Sequence, residues 1–293
     1  MRLGLYHTAM LDLEPEALML WLQQHEFSDL ELHGGPRYRG IDWSLVAQGD
    51  ASLRDIAERY GIKIWDIMDG SLNFLDADRA RRQMAIDHAV TLIRAAAVLG
   101  AASVSVFTGR DPLTSIDQNL ERLPDALEPI LTEADKRGIQ IGLENCPMAH
   151  EWPPRFNIAI SPRRWRDIFA RIPSPVLGLN FDPSHLVWQG IDYVAAVHEF
   201  GSRIILAQVK DSERIESRVR DEGILDTHFW RHRIPGQGDI DWMKLVSALV
   251  EVGYQRPLFI EQEDPFFEGS LAKAEAGIEW TRRYLAPCLA MDS

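Results

Sequence analysis

Cysteine is scarce in this chain. There are two in 293 residues, Cys146 and Cys288, and no CxxC pair. That argues against a disulfide framework and fits a reduced, cytoplasmic protein with free thiols. Positive charge is also in deficit: 31 Lys and Arg stand against 44 Asp and Glu, for a net charge of −13. A field of that sign repels phosphate backbones, so no nucleic-acid partner is expected. No run of about 20 apolar residues occurs, so no membrane span is expected. The opening stretch, MRLGLYHTAMLDLEPEAL, has no long apolar segment, turns acidic early and does not read as a signal peptide. Low-complexity tracts, linkers and internal repeats are likewise missing. The chain therefore reads as one domain over residues 1–293.

What the sequence does contain is a regular alternation. Short apolar runs at 3–7, 28–33, 62–67, 103–107, 139–144, 176–181, 204–209 and 257–262 read as strands. Between and after them lie amphipathic stretches with helical spacing, at 15–25, 51–61, 77–99, 114–137, 160–172, 190–200, 240–252 and 271–285. Gly61, Gly100 and Gly138 stand where three of these should stop, and Ser161-Pro162 where one should start. Strict alternation implies parallel strands with right-handed crossovers. Eight such units predict an α/β fold of the (β/α)8 TIM-barrel type, whose usual size is roughly 250 residues. The competing doubly wound dinucleotide fold would want GxGxxG after the first strand, and here that strand runs into HTAMLDLEP.

In such barrels the chemistry gathers at the C-terminal ends of the strands. The fifth strand ends in Glu144-Asn145, the sixth in Asp182-Pro183-Ser184-His185 and the eighth in Glu261-Gln262-Glu263-Asp264. The seventh leads through Gln208 to Lys210-Asp211, and the first and second end at His7 and Glu31-Leu32-His33. Carboxylates packed at one point repel unless a cation or shared protons intervene. A divalent metal on Glu144, Asp182 and Glu261 is the simplest solution, with Mn2+ or Mg2+ favoured and Zn2+ or Co2+ also compatible. The alternative is that the acids pair with Lys210, Arg214, Arg231 or Arg233. His7, His33 and His185 are candidates for substrate contact, or else satisfied groups at the edge of the core. Cys146 has no evident base partner and reads as packing. The segment 210–238 is long for a strand-to-helix loop, which suggests a lid. Its Trp230 suits stacking on a sugar ring, and Arg231 and Arg233 suit clamping polar groups.

The motifs GLENCP (142–147), LNFDPSH (179–185), VKDSER (209–214), RIPGQGDIDW (233–242) and GYQRPLFIEQED (253–264) resemble those of the xylose-isomerase-like barrel superfamily, in its sugar phosphate isomerase/epimerase branch. The resemblance covers nearly the whole chain. It implies a metal held by Glu, Asp, His and Glu on the fifth to eighth strands, matching Glu144, Asp182 and Glu261. The histidine position falls on Gln208: relatives read HxKD and this chain reads QVKD. Glutamine can ligate through its carbonyl oxygen, though more weakly toward zinc and cobalt than imidazole. The resemblance also places His185 and Arg214 on substrate oxygens; Lys210, at the end of the seventh strand, is a further candidate for substrate contact.

The implied activity is a metal-dependent isomerase or epimerase acting on a sugar, keto-sugar or inosose through an enediolate. Glu144 and Glu261 would be the acid–base pair. A lyase or dehydratase on the same substrates is the nearest alternative. A non-catalytic sugar-binding barrel is thinkable because of Gln208. An endonuclease is disfavoured, because the chain lacks that branch's histidine-rich multi-metal pattern. The expected partner is a small carbohydrate, and a homo-oligomer is compatible with the sequence.

Overall fold

The computed structural model describes residues 1–148, 156–225 and 227–290. Strands β1 (Leu3–Tyr6), β2 (Asp29–His33), β3 (Lys63–Asp69), β4 (Ser103–Val106), β5 (Gln140–Glu144), β6 (Leu177–Phe181) and β7 (Ile204–Val209) belong to the barrel. β8 (Asp211–Arg214) and β9 (Trp230–Arg233) form a separate hairpin, and β10 (Leu258–Glu261) completes the barrel. The barrel is closed in the order β1-β10-β7-β6-β5-β4-β3-β2, with parallel pairing throughout. This is the (β/α)8 architecture read from the alternation. Among the described residues, no helix is long and apolar enough to cross a membrane.

Local signals set the boundaries. Asp78 caps the helix Arg79–Leu99 by accepting from the backbone N–H groups of Ala80 and Arg81, and Gly100 ends it at φ 72°. Ser115 and Gln118 form a reciprocal capping box on the helix Ile116–Arg137. The apolar helix faces pack on the outside of the barrel. Trp165 and Trp242 are fully buried there, each contributing roughly 1.5–3 kcal/mol or more through removal from water.

The segment 210–238 differs from the loop expected. Most of it is structured: β8 and β9 pair antiparallel, with the helix Glu216–Glu222 between them. Asp211 ties this hairpin to the barrel. Its Oδ1 accepts from the backbone N–H groups of Ser212 and Ile240, and its Oδ2 accepts from Trp242 Nε1 at 2.9 Å. Gly238 is packed so closely against this carboxylate that a Cβ there would lie 2.2 Å from Asp211 Oδ1.

Candidate active site

The strand ends bring Glu144, Asp182 and Glu261 together. One carboxylate oxygen from each lies within 4.8 Å of the others, and all three side chains are buried. Backbone clamps fix them. Asn145 Nδ2 donates to the Asp182 carbonyl at 2.8 Å, while the Asp182 N–H donates to Asn145 Oδ1 at 2.9 Å. Asn157 Nδ2 donates to the carbonyls of Glu144 and Cys146, both at 2.9 Å. Asp182 Oδ1 accepts from the Ser184 N–H at 2.8 Å, opening the short helix Ser184–Val187 that carries His185.

Lys210 follows β7 and enters the middle of this cluster. Its Nζ donates to Glu261 Oε2 at 2.6 Å and to Glu263 Oε2 at 3.2 Å, and lies 3.0 Å from Asp182 Oδ2. The pairing alternative read from the sequence is thus realised for Lys210. Glu263 was not singled out by sequence. It lies two residues beyond Glu261, so strand alternation could have placed it on the same face.

The electrostatics follow from four acids meeting one ammonium. Burial and the charge of Glu261 push Glu144 well above the ordinary carboxylate range. Burial raises Glu261 to about 8, against the pull of Lys210. Lys210 holds Glu263 down to about 2. Burial opposes ionisation of Asp182 too, but Lys210 and His185 keep it well below its usual range.

The donor set fits a divalent cation. Three carboxylate oxygens converge, and the negative charge there exceeds that of the single lysine.

Gln208 lies elsewhere in its bonding. It is buried on β7, and its Nε2 donates to Glu31 Oε1 at 3.1 Å. Asn180 Nδ2 donates to the same oxygen at 2.8 Å. The Gln208 Oε1 has no hydrogen-bond partner. The structure therefore adds an interior layer built around Glu31 that sequence reading had not linked to the site.

A cavity of about 460 Å³ opens above the cluster. Its walls include His33, Glu144, Cys146, His185, Lys210, Trp230, His232, Glu261 and Glu263. Trp230 stacks on Trp188 with centroids 4.6 Å apart, and His232 lies edge-on to Trp230 at 4.8 Å. The three arginines expected to clamp substrate are not among the lining residues. Arg231 pairs with Glu213 at 2.7 Å, and Arg214 lies 3.3 Å from Glu216. Arg233 donates to the Gln237 carbonyl at 3.2 Å. These arginines brace the hairpin that carries Trp230 and His232. His7 is fully buried and supports His33: its Nδ1 accepts from the His33 N–H at 3.2 Å. The Tyr6 hydroxyl and His33 Nδ1 are hydrogen-bonded at 2.8 Å.

A closed parallel barrel with acids at its mouth defines a class. The chain belongs to the xylose isomerase-like TIM barrel family, whose model matches residues 20–284. Curated relatives at 31–37% identity match over about a third of their length. One is the inosose dehydratase of Clostridium perfringens, 31% identical over 33% of this chain and 34% of that protein. Among solved structures, the 3-keto-D-glucoside 4-epimerase YcjR of E. coli is similar with a TM-score of 0.73. It is 15% identical, over 97% of this chain and 99% of that one. The zinc-bound IOLI protein is similar with a TM-score of 0.74 and 19% identity, over 99% of both chains.

Proposed function

We propose that the protein is a metal-dependent isomerase or epimerase of a sugar, keto-sugar or inosose. The observation that carries this is the convergence of Glu144, Asp182 and Glu261 beneath a cavity of sugar size. The epimerase and zinc-bound relatives of the same fold agree with it.

Glu144, Asp182 and Glu261 would hold the cation. When bound, it would supply Lewis-acid polarisation of a substrate carbonyl and the neighbouring hydroxyl. The other steps belong to the side chains. Trp230 offers an apolar face for the sugar ring, and His33 and His185 offer ring nitrogens at the cavity wall. One of Glu144 and Glu261 removes the proton from the carbon beside the carbonyl, and the other returns a proton to the resulting enediolate. Lys210, 2.6 Å from Glu261, steadies the negative charge that accumulates beside it.

Solvent deuterium exchange on a panel of keto-sugars and inososes tests the reading. Incorporation at the carbon beside the carbonyl, lost in Glu144→Gln and Glu261→Gln, supports it. Full exchange in both variants would discard this acid–base pair.

The inosose dehydratase relative favours a second reading. With a leaving group beta to the carbonyl, the same proton removal ends in elimination. His185 and His232, with ring centroids 5.6 Å apart, would then be candidates to protonate the departing oxygen. Product analysis separates the two readings, because dehydration creates an unsaturated product and epimerisation does not.

A further inference from the structure

Cys146, which reads as a packing residue in the sequence, does not pack away from the site. It follows β5 by two residues and lines the cavity. Its Sγ, a carboxylate oxygen of Glu144 and a ring nitrogen of His185 all lie within 4.8 Å of one another. His185 supplies a second, independent observation. The ring is 2% exposed, and its Nδ1 has no hydrogen-bond partner. Nε2 does lie 3.1 Å from Asp182 Oδ2 and 3.8 Å from Glu144 Oε1. Buried imidazoles ordinarily satisfy both nitrogens; here Nε2 leans on a carboxylate that a cation could share, and Nδ1 is left unsatisfied.

The neighbouring carboxylate cluster offers a contrast. Lys210 already occupies the Asp182 and Glu261 oxygens. Asp182 is fully buried and is not among the cavity-lining residues. Glu144 has no lysine or arginine within 4.0 Å among the described residues, and Glu144, Cys146 and His185 all face the cavity. Lys210 lines the same cavity, but its ammonium is taken up by Asp182, Glu261 and Glu263, so an ion at Glu144, Cys146 and His185 meets sulfur, nitrogen and oxygen donors without displacing it.

We propose that Glu144, Cys146 and His185 form a second cation position, beside the three-carboxylate one and sharing Glu144 with it, that takes a thiophilic divalent ion such as Zn2+ or Co2+. Thiolate and imidazole favour these borderline metals, whereas all-oxygen sets suit Mn2+ and Mg2+. On binding, the Cys146 thiol gives up its proton to solvent and no redox change occurs. Three protein donors with one side open to a cavity is also the arrangement of zinc sites that keep a position for substrate. The position goes beyond the proposed reaction, because it depends on donor chemistry and not on which sugar is turned over.

Cobalt reports the ligand directly. Chelator-stripped full-length protein is titrated with Co2+ and followed by absorption, with bound metal counted by elemental analysis. The expected result is an intense near-ultraviolet thiolate-to-cobalt band in the wild type. It should disappear in Cys146→Ser and His185→Gln, and persist in Cys288→Ser and Glu261→Gln. Zn2+ affinity should fall by about tenfold or more in Cys146→Ser, while Mn2+ affinity stays unchanged. Circular dichroism checks that each variant is folded. Bound Co2+ without the band in wild type overturns this position and leaves the three-carboxylate one standing. A band that survives in Cys146→Ser overturns it as well. A protein that takes up neither Co2+ nor Mn2+ overturns both positions, and the metal-dependent reading with them.

Discussion

Lys210 Nζ and Glu261 Oε2 lie 2.6 Å apart with both side chains buried, so the central contact of the site is an ion pair. The same ammonium reaches Asp182 and Glu263, and so ties the end of β7 to the ends of β6 and β10. One positive charge serves four acids. It is enough to order the site and too little to neutralise it.

Lys210→Met should therefore destabilise the cation-free protein. Removing one partner of a buried pair typically costs about 3–5 kcal/mol, because the charges left behind lose their compensation. Added Mn2+ should recover part of the loss. Thermal melts with and without Mn2+ measure both effects. A variant as stable as wild type without any cation would show that the pair contributes nothing.

Cation binding should itself raise stability. A ligand held only by the folded state contributes about 2.7 kcal/mol at a hundred times its dissociation constant. Chelation should lower the melting temperature, Mn2+ should restore it, and Glu144→Gln should shrink the difference. An unchanged melt after verified metal exchange would instead favour a site closed by Lys210 alone.

The barrel and its strand-end acids were legible because each rests on a local, repeated signal. Apolar strands alternating with capped helices fix the topology, and the topology fixes where Glu144, Asp182 and Glu261 must end. The hairpin was not legible. β8 reads DSER and β9 reads WRHR, and these half-buried polar stretches carry no apolar alternation. Missing it hid the pairing of Arg231 with Glu213, and so that arginine read as a substrate clamp. Glu31 stands at a strand end in the sequence, but its contacts were hidden for another reason. It contacts Asn180 and Gln208 across the barrel interior, at 149 and 177 residues' separation, and local spacing does not show such a contact.

Acid should weaken the mouth of the barrel through His7 and His33. Burial lowers His7 from 6.5 to about 3 and His33 from 6.5 to about 4. The folded state thus binds fewer protons than the unfolded state between about pH 6.5 and those values. Stability is fully present above pH 6.5 and falls as pH drops through that window. His7→Gln should flatten the stability–pH slope there, measured by denaturant unfolding from pH 7 to pH 4. A slope identical to wild type would mean that His7 titrates normally.

Gln208 decides how far the family's ligand pattern carries into this chain. The resemblance implied a histidine ligand at this position, yet the Gln208 amide nitrogen is committed to Glu31. Gln208→His should then have two separable effects. Glu31 loses one of its two side-chain amide donors in the barrel interior, which should cost about 1–3 kcal/mol of stability. On the family ligand pattern the new imidazole would reach the carboxylate cluster, and Zn2+ and Co2+ should then bind more tightly, Mn2+ much less so. Chemical denaturation reads the first effect and titration calorimetry the second. Lost stability with unchanged or weaker Zn2+ binding would assign Gln208 to the Glu31 layer and remove it from the ligand set. Tighter binding with little lost stability would mean instead that the Glu31 contact is dispensable and that position 208 faces the metal.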